Sequence, residues 1–403
     1  MKRKLLQINP VVRQNTSTGR IMREIGELAM AHGWESCIAY SGGRDGLPAH
    51  SSHLLPVGNK WSVVWHAVMT RLFDAHGLAS KHATRQLIRQ IEKLDPDIIH
   101  IHNVHGYWLN YPLFFDYLKK SGKPVIWTVH DCWLYTGHCY HYSFVRCDKW
   151  KTGCGRCPQK SSFPATWFWD RSAANWRDKQ AAFTSLPKMT FVPVSAWIRH
   201  EMASSFLAGQ TFRIIRNGID LKVFRPEAAE KARETCYLAV AGIWLEEKGF
   251  PDLVQLAALL YEDERLMLVG RMTEAQKRRM PEGVSLVERT EDVQALASLY
   301  ARATVLLNPT LQDNYPTVNL EAIACGTPVV TYRTGGSIEA ITEETGRVVP
   351  QGDVAAMLAA AREFAAADRA ATACACRSHA LAHFDKESCY RNYLELYEDL
   401  ATR

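Results

Sequence analysis

Short runs of apolar and β-branched residues alternate along the whole chain with stretches that carry apolar residues at helical spacing. In the first half, the runs are LLQIN, CIAY, DIIHIHN, VIWTVHD, TFVPVS and FRIIRN. A second series consists of CYLAVAGI, RLMLVG, VSLVE, TVLLNPT, PVVTY and RVVP. Because strands that alternate with helices form parallel sheets with crossover helices, each series predicts one α/β domain.

Length and composition agree with two domains of a globular protein. The chain has 403 residues, of which 47% are hydrophobic and 22% are charged, whereas a single core stops growing near ~250–300 residues. No apolar run reaches the ~18 residues that span a bilayer. The start, MKRKLLQINPVV, turns polar too soon for a signal peptide. We therefore expect a cytoplasmic protein.

The segment from Asn308 to Glu339 combines a strand, a loop, a helix, a second strand and a Gly-rich turn. The first N–H groups of such a helix point toward the carboxyl ends of parallel strands, where an anion is stabilised. Asp313 lies in the loop before the helix, and Glu321 lies eight positions later within its first turns. This arrangement favours a site for a phosphorylated ligand. An ordinary βα turn with solvated acids is the alternative.

The stretch DNYPTVNLEAIACGTPVVTY resembles the E-x7-E region of retaining glycosyltransferases of group 1 (glycosyltransferase family 4), and more narrowly the bacterial capsule, exopolysaccharide and colanic acid enzymes. The resemblance implies the GT-B architecture, with two Rossmann-like parallel-sheet domains facing across a cleft. It also implies transfer of a hexosyl group, with retention, from a nucleotide diphospho-sugar to a saccharide or polyprenyl-linked acceptor. We expect no cofactor or catalytic metal, because no D-x-D motif ends a predicted strand.

The resemblance assigns donor contacts to individual residues. Asp313, where most of the family has Glu, contacts the donor sugar, and Glu321 contacts the ribose. Lys248 binds the diphosphate. The family usually has an Arg soon after the first glycine of this region, but here Gly242 is followed by Ile243. Arg271 is a candidate replacement for that charge. The other predicted donor-binding residues are Gly19, Asn314, Tyr315, Thr317 and Val318.

In the first domain, polar residues follow two of the predicted strands. DIIHIHNVHG brings His102 and His105 to the carboxyl edge of the sheet, and VIWTVHD ends at His130. Ligands of open α/β sheets bind at this edge. His130 resembles the active-site histidine of the family, so we predict that it is catalytic together with Asp313 and Lys248, with His102 and His105 on the acceptor side. A strand-end histidine without a catalytic role is the alternative.

The segment from residue 61 to residue 94 is basic and rich in aromatic residues. One interpretation is an acceptor or membrane-facing surface, with peripheral contact at the inner membrane. The other is a pair of packing helices with solvated Lys and Arg. The net charge of +6 fits attraction to phosphates or to an anionic membrane face and does not indicate a nucleic-acid partner.

Eleven cysteines, most of them scattered singly, indicate a reducing compartment rather than a disulfide framework. Several of them fall in an insertion at about residues 132–160. Four of these, Cys139, Cys147, Cys154 and Cys157, include a C-x-x-C and provide enough thiolates for a structural zinc site. Free thiols in an aromatic-rich loop are the alternative.

The sequence also predicts the domain boundaries. IIRNGID resembles the hinge of the family, and the closing segment FDKESCYRNYLELYEDL resembles a helix that returns to the first domain. We therefore expect a first domain at 1–217 plus 386–403 and a second at 218–385. Two other functions stay open: a nucleotide-sugar epimerase of the same architecture, and a non-enzymatic, zinc-stapled basic binding module.

Overall fold

The computed structural model describes residues 2–13, 16–42, 51–227, 234–290 and 292–402. The chain divides into two compact units, Met1–Arg216 with Tyr390–Arg403, and Asn217–Cys389. We call these the first and the second domain. The chain leaves the first domain one residue earlier than the sequence suggested and re-enters it four residues later.

The first domain is built on a seven-stranded parallel sheet with the order β3-β2-β1-β4-β5-β6-β7. Its strands are β1 (Lys4–Ile8), β2 (Glu35–Ser41), β3 (His53–Val57), β4 (Ile98–Ile101), β5 (Val125–Val129), β6 (Met189–Pro193) and β7 (Thr211–Phe212). Its helices are α1 (Ser17–Ala31), α2 (Lys60–Phe73), α3 (Lys81–Leu94), α4 (Tyr111–Ser121), α5 (Ser172–Phe183) and α6 (Ala196–Ala203).

Two elements of the first domain differ from the sequence pattern. The edge strand β3 was missed, because HLLPV contains a proline and is only partly buried. The predicted strand FRIIRN pairs over only two residues, Thr211 and Phe212, at the other edge of the sheet. Edge strands have one neighbour and one open side, so their apolar pattern is the weakest guide to their length.

The second domain holds a six-stranded parallel sheet with the order β10-β9-β8-β11-β12-β13. Its strands are β8 (Thr235–Ile243), β9 (Glu264–Arg271), β10 (Ser285–Val287), β11 (Val305–Asn308), β12 (Val329–Tyr332) and β13 (Gly346–Val349). Its helices are α7 (Phe250–Ala257), α8 (Glu274–Lys277), α9 (Val293–Arg302), α10 (Thr317–Ala324), α11 (Val354–Ala366) and α12 (Arg369–His383). All six strands predicted for this half are present.

The apolar pattern explains the middle of each sheet. Every residue of β4, β5, β6, β11 and β12 is buried. Such continuous apolar runs are typical of parallel strands covered by helices on both faces. The strand order reverses between β1 and β4 and again between β8 and β11. At these points ligands of open α/β sheets bind, beyond the carboxyl ends of the strands.

The last helix, α13 (Lys386–Ala401), packs on the first domain from Tyr390 onward. Tyr397 Oη lies 2.7 Å from Nδ1 of His100, and Tyr393 Oη lies 2.9 Å from Oγ1 of Thr128. These buried hydrogen bonds tie the end of the chain to β4 and β5. Within the described ranges, no helix combines the length and the apolarity that a membrane crossing requires.

Candidate active site

The loop between β11 and α10 is held in place by the buried amide of Asn319. Its Oδ1 accepts a hydrogen bond from Asn308 Nδ2 at 2.8 Å, and its Nδ2 donates to the carbonyl oxygen of Ser337 at 3.0 Å. Asn308 is the last residue of β11, and Ser337 lies in the Gly-rich turn after β12. One side chain therefore joins the strand end, the start of the helix and the turn.

The Gly-rich turn lies directly against the backbone of Asp313. Gly336 donates its N–H to the carbonyl oxygen of Asp313 at 3.1 Å. Gly335 has a φ of +47°, and a Cβ atom at this position would lie 1.9 Å from that oxygen. A side chain at residue 335 would therefore displace Asp313. This close approach explains the glycine that the sequence places after β12.

Lys248 and Asp313 form an ion pair in which Nζ and Oδ2 are 2.7 Å apart. The turn Glu246–Lys248 is fixed against the same loop, because Leu311 donates its N–H to the carbonyl oxygen of Glu247 at 2.9 Å. The chain approaches so closely that a Cβ at Gly249 would lie 2.1 Å from the carbonyl oxygen of Pro309. Two residues predicted to contact the donor are thus in direct contact with each other.

Glu321 lies in the middle of α10 and is buried. Tyr300, the buried tyrosine of α9, donates from its hydroxyl to Oε2 of Glu321 at 3.0 Å. This contact fixes the position of the carboxylate. Sequence reasoning missed Tyr300, since it lies on a different helix and no local pattern connects it with the E-x7-E region.

The start of α10 has no side-chain cap among the described residues. Its N-cap is Pro316, and Thr317 and Val318 form the first helical positions. Asn314 and Tyr315, in the loop just before, are buried. Among the first N–H groups of this helix, that of Asn319 donates to the carbonyl oxygen of Pro316 at 3.2 Å. Binding of an anion at this end of the helix stays a prediction.

Arg271 is exposed at the end of β9. Its carbonyl oxygen accepts the N–H of Trp244 at 2.9 Å, which places it beside the segment that follows β8. Ile243, at the position where the family usually offers a cation, is also exposed. Arg271 is therefore on the same edge of the sheet as the turn that carries Lys248, and its role toward a donor stays a prediction.

Gly19 lies in the first turn of α1 and is buried. A Cβ at this position would lie 2.4 Å from the carbonyl oxygen of Arg13 and 2.6 Å from Oγ1 of Thr16. Packing against the protein's own loop accounts for this glycine, and its contact with donor phosphates stays a prediction. The N-cap of α1 is Thr16.

In the first domain, His102 and His130 meet at the carboxyl edge of the sheet. Nδ1 of His102 lies 3.1 Å from Nε2 of His130, and Nε2 of His102 lies 3.1 Å from Oε1 of Gln7. Burial lowers the pKa of His130 to about 4 and places that of His102 well below its usual value. Both imidazoles are therefore neutral near pH 7, so each can donate one hydrogen bond and accept another.

His105 pairs with Asp131, with Nε2 and Oδ2 2.8 Å apart. Burial alone would raise the pKa of Asp131, but the adjacent His105 and the N–H of Trp133 outweigh it and lower the pKa to about 2. Asp131 is thus a carboxylate at any physiological pH. The histidines predicted on the acceptor side, His102 and His105, each contact one residue of the His130–Asp131 pair that follows β5.

Lys179 is a buried lysine beside this cluster that sequence reasoning did not identify. Its Nζ donates to the carbonyl oxygens of Trp133 and Thr136 at 2.6 and 2.9 Å and lies 3.4 Å from the ring centroid of Trp133. Burial lowers the pKa of Lys179 to about 7. It holds the loop that follows Asp131. A single lysine on α5 gave no local signal of this contact, which spans more than forty positions.

The four cysteines of the insertion, Cys139, Cys147, Cys154 and Cys157, line one small cavity of about 10 Å³. Gly137 donates its N–H to Sγ of Cys154 at 3.2 Å. A hydrogen bond from the Cys139 thiol lowers the pKa of Cys157 to about 7. Within the described ranges, no three His, Cys, Asp or Glu side chains form a group that could hold a metal ion. Structural zinc therefore stays a prediction.

Two family models match the chain. Residues 18–223 match the model described as Glycosyltransferase Family 4, and residues 235–367 match the one described as Glycosyl transferases group 1. The first match alone covers more than half of the 403 residues. The chain belongs to glycosyltransferase family 4. This confirms the family that the sequence resembles and the transferase activity in its general form.

Relatives and solved structures agree with this assignment. WcaC of Escherichia coli (strain K12), named as a colanic acid biosynthesis glycosyl transferase, is 23% identical over 98% of this chain and 100% of its own length. A D-inositol 3-phosphate glycosyltransferase of Pseudarthrobacter chlorophenolicus is 33% identical over 31% of this chain and 34% of its own.

Two solved structures have the same fold. The sucrose-phosphate synthase of Thermosynechococcus elongatus has a TM-score of 0.71 at 19% identity and covers 99% of both chains. Anabaena HepE, solved with UDP-glucose, has a TM-score of 0.68 at 14% identity, covering 98% of this chain and 99% of its own. The two parallel-sheet domains of this glycosyltransferase are thus those of the GT-B fold, as the sequence predicted.

Proposed function

We propose that this glycosyltransferase transfers a sugar from a nucleoside diphosphate sugar to a saccharide or polyprenyl-linked acceptor in bacterial surface polysaccharide synthesis. The transfer retains the anomeric configuration and needs no metal ion. The observation that carries the proposal is the Lys248–Asp313 pair, beside the uncapped start of α10. The UDP-glucose in the HepE structure and the colanic acid role in the name of WcaC support the donor and the acceptor class.

Lys248 is the residue we assign to the leaving diphosphate. When the bond between the anomeric carbon and the phosphate oxygen breaks, negative charge grows on the diphosphate. An ammonium group has three N–H donors, and one of them points to Asp313, so two can serve phosphate oxygens. The first N–H groups of α10 add fixed dipoles at the same edge of the sheet. Preorganised donors of this kind stabilise the developing charge in place of a metal ion.

Asp313 and Glu321 are assigned to the sugar and to the ribose of the donor. Asp313 Oδ2 is held by Lys248, which leaves lone pairs on this carboxylate for sugar hydroxyls. Glu321 is held by Tyr300 through one oxygen. A carboxylate offers about four lone-pair directions, so Glu321 can accept from ribose hydroxyls as well. Both carboxylates are positioned by a neighbour before the donor binds, which reduces the entropy cost of binding.

The acceptor is assigned to the histidine cluster of the first domain. The neutral imidazole of His130 suits a hydroxyl group. His102 is buried, and its two ring nitrogens contact His130 and Gln7, so we assign it the positioning of His130. The His105–Asp131 pair adds a charged acceptor of hydrogen bonds beside them. This chemistry fits a saccharide with several hydroxyl groups.

The experiment follows the product and its stereochemistry. The purified protein is incubated with UDP-, GDP- and ADP-linked hexoses and with short saccharide or polyprenyl-linked acceptors, and the new glycosidic bond is analysed by NMR. We expect an α-linked product from an α-linked donor, at a rate that EDTA does not change. A β-linked product contradicts retention, and loss of activity with EDTA contradicts metal independence. If the protein isomerises the donor when no acceptor is present, it is an epimerase instead.

A further inference from the structure

Helix α2 has its polar side inside and its apolar side outside. The residues of α2 that are buried are His66 and Thr70, both polar. Trp61, Val64, Trp65 and Val68 are exposed, although their spacing of i, i+3, i+4 and i+7 forms one continuous stripe. The exposed fractions of Trp61 and Trp65 are 71% and 60%. A soluble surface helix normally shows the reverse arrangement.

A second group of exposed aromatic residues lies next to the C-terminal end of this helix. The loop before α5 exposes Trp167, Phe168 and Trp169 in succession, with Phe168 70% exposed. The loop is anchored, because Trp167 donates its N–H to the carbonyl oxygen of Arg71 at 2.7 Å. The Arg71 guanidinium lies 5.9 Å from the ring centroid of Trp167. The two groups thus adjoin through Arg71.

We call the combined set the aromatic surface. It consists of Trp61, Val64, Trp65 and Val68 of α2 and of Trp167, Phe168 and Trp169 of the loop. Scattered exposed apolar residues are ordinary, but a contiguous set of this size marks a contact with another apolar phase or partner. Tryptophan prefers the boundary between lipid headgroups and acyl chains, since its ring is apolar and its N–H is polar.

Cations surround the aromatic surface. Lys60 Nζ lies 5.8 Å from the ring centroid of Trp61, and Arg71 stacks on Trp167. A groove of about 770 Å³ between Trp65 and the start of α3 is lined by Lys81, His82 and Arg85.

The charges of this region are unbalanced. Six Lys and Arg residues stand between Lys60 and Lys93 against two acids, Asp74 and Glu92. Asp74 is buried and pairs with His138, so it does not offset the cations at the surface. Basic residues beside exposed aromatic residues match an anionic headgroup layer above an apolar phase.

We propose that the aromatic surface docks this protein on an anionic phospholipid bilayer. The aromatic side chains enter the headgroup region, and Lys60, Arg71, Lys81 and Arg85 contact lipid phosphates. Phe163, which is also exposed, packs on Tyr140 at 5.1 Å between ring centroids, and Tyr140 packs on His105 at 4.7 Å. If the proposed acceptor site is right, the bilayer therefore lies close to it, which suits a lipid-linked acceptor. The docking itself does not depend on that function.

The test is sedimentation of the full-length protein with vesicles of phosphatidylcholine alone and of phosphatidylcholine with phosphatidylglycerol. We expect binding to the anionic vesicles that weakens with salt. The Trp61→Ser/Trp65→Ser variant and the Trp167→Ser/Phe168→Ser variant should each bind about tenfold more weakly or worse. The matched control is Leu259→Ser/Leu381→Ser, which removes exposed apolar residues of the second domain and should bind as the wild type does.

Charge reversal tests whether the basic side chains contact lipid phosphates. Lys81→Glu/Arg85→Glu should lower binding to anionic vesicles about tenfold or more, whereas Arg278→Glu/Arg289→Glu in the second domain should not. Circular dichroism and thermal melting establish that every variant is folded. Wild type that stays in solution with anionic vesicles overturns the proposal, as does equal binding by the aromatic variants and the wild type. If the wild type does not bind vesicles but forms dimers, and the aromatic variants do not dimerise, the surface binds a second copy of the chain instead.

Discussion

Nζ of Lys248 and Oδ2 of Asp313 lie 2.7 Å apart, although 65 positions separate the two residues in the chain. Lys248 follows β8 and Asp313 follows β11, and these two strands are neighbours in the sheet. The fold thus brings a cation and a carboxylate to one edge of the second domain. Both side chains are partly exposed, so a donor can reach them.

Lys248→Ala should lower kcat about 10²–10³-fold while leaving the melting temperature nearly unchanged. A cation that meets charge growing on a leaving group acts more strongly in the transition state than in the ground state. An exposed ion pair, by contrast, contributes only about 0–1 kcal/mol to the free energy of unfolding. Steady-state kinetics at saturating donor and thermal melting measure the two quantities separately.

Arg271→Ala and the double variant with Lys248→Ala show whether Arg271 shares this task. If it does, the double variant loses more activity than either single change alone. Arg278→Ala, an exposed arginine on the following helical segment, is the matched control and should retain full activity. If Lys248→Ala keeps a near-normal kcat and an unchanged melting temperature, Lys248 is a surface residue without a catalytic role.

Glu321→Ala should weaken donor binding at least tenfold. Hydrogen bonds to a charged acceptor contribute roughly 1.5–3 kcal/mol each, and the ribose offers two hydroxyl groups. The change also removes one hydrogen-bond acceptor of the buried Tyr300 hydroxyl, so part of its effect falls on stability. Isothermal titration with a set of nucleotide sugars measures the affinity.

Tyr300→Phe separates the two effects of this change. It removes the same hydrogen bond but keeps the carboxylate. We expect it to lower the melting temperature while donor affinity changes much less than in Glu321→Ala. Equal affinity for the donor in wild type and Glu321→Ala would refute the ribose assignment.

Zinc content tests the cysteine cluster. If Cys139, Cys147, Cys154 and Cys157 hold zinc, protein purified without chelator should contain about one equivalent by elemental analysis. Cys154→Ser should remove the metal and lower the melting temperature. Cys374→Ser, which changes an exposed cysteine outside the cluster, is the control and should retain the metal. If the purified protein is fully folded and contains no metal, the four cysteines are free thiols.

The buried histidines should make the first domain sensitive to acid. Burial lowers the pKa of His100 to about 3 and that of His130 to about 4, from an ordinary value of 6.5. The unfolded chain therefore binds these protons at a higher pH than the folded chain does. The contribution of these histidines to the free energy of unfolding should be complete above about pH 6.5. It should decrease as the pH drops toward 4, by up to about 1.4 kcal/mol per pH unit for each histidine.

Urea unfolding at several values between about pH 7.5 and pH 5 measures this dependence. His100→Gln should be less stable at neutral pH, because it alters the hydrogen bonds to Tyr397 and Thr128. It should also show a shallower dependence on pH than the wild type. Identical slopes for both proteins would show that His100 does not contribute to the acid sensitivity.

Features that depend on residues close together in the chain could be predicted from the sequence. The alternation of apolar strands and helical stretches gave all six strands of the second sheet. The C-terminal end of α10 also has a local signal, because Gly326, at φ +83°, follows the last helical turn. The spacing of Asp313 and Glu321 around the start of α10 led to the family. These signals are local, since turn chemistry and periodicity act within a few residues.

Tertiary structure alone decided which distant residues meet and which surfaces remain exposed. Tyr300 reaches Glu321 and Lys179 reaches Trp133 because the strand order and the helix packing bring separate segments together, and no local pattern records such contacts. The stripe on α2 is the clearest case. Its spacing predicts a helix whose apolar stripe packs into the core, yet the helix buries His66 and Thr70 and leaves Trp61 and Trp65 in solvent. Periodicity identifies the apolar face of a helix, but only the packing of the whole domain determines what that face contacts.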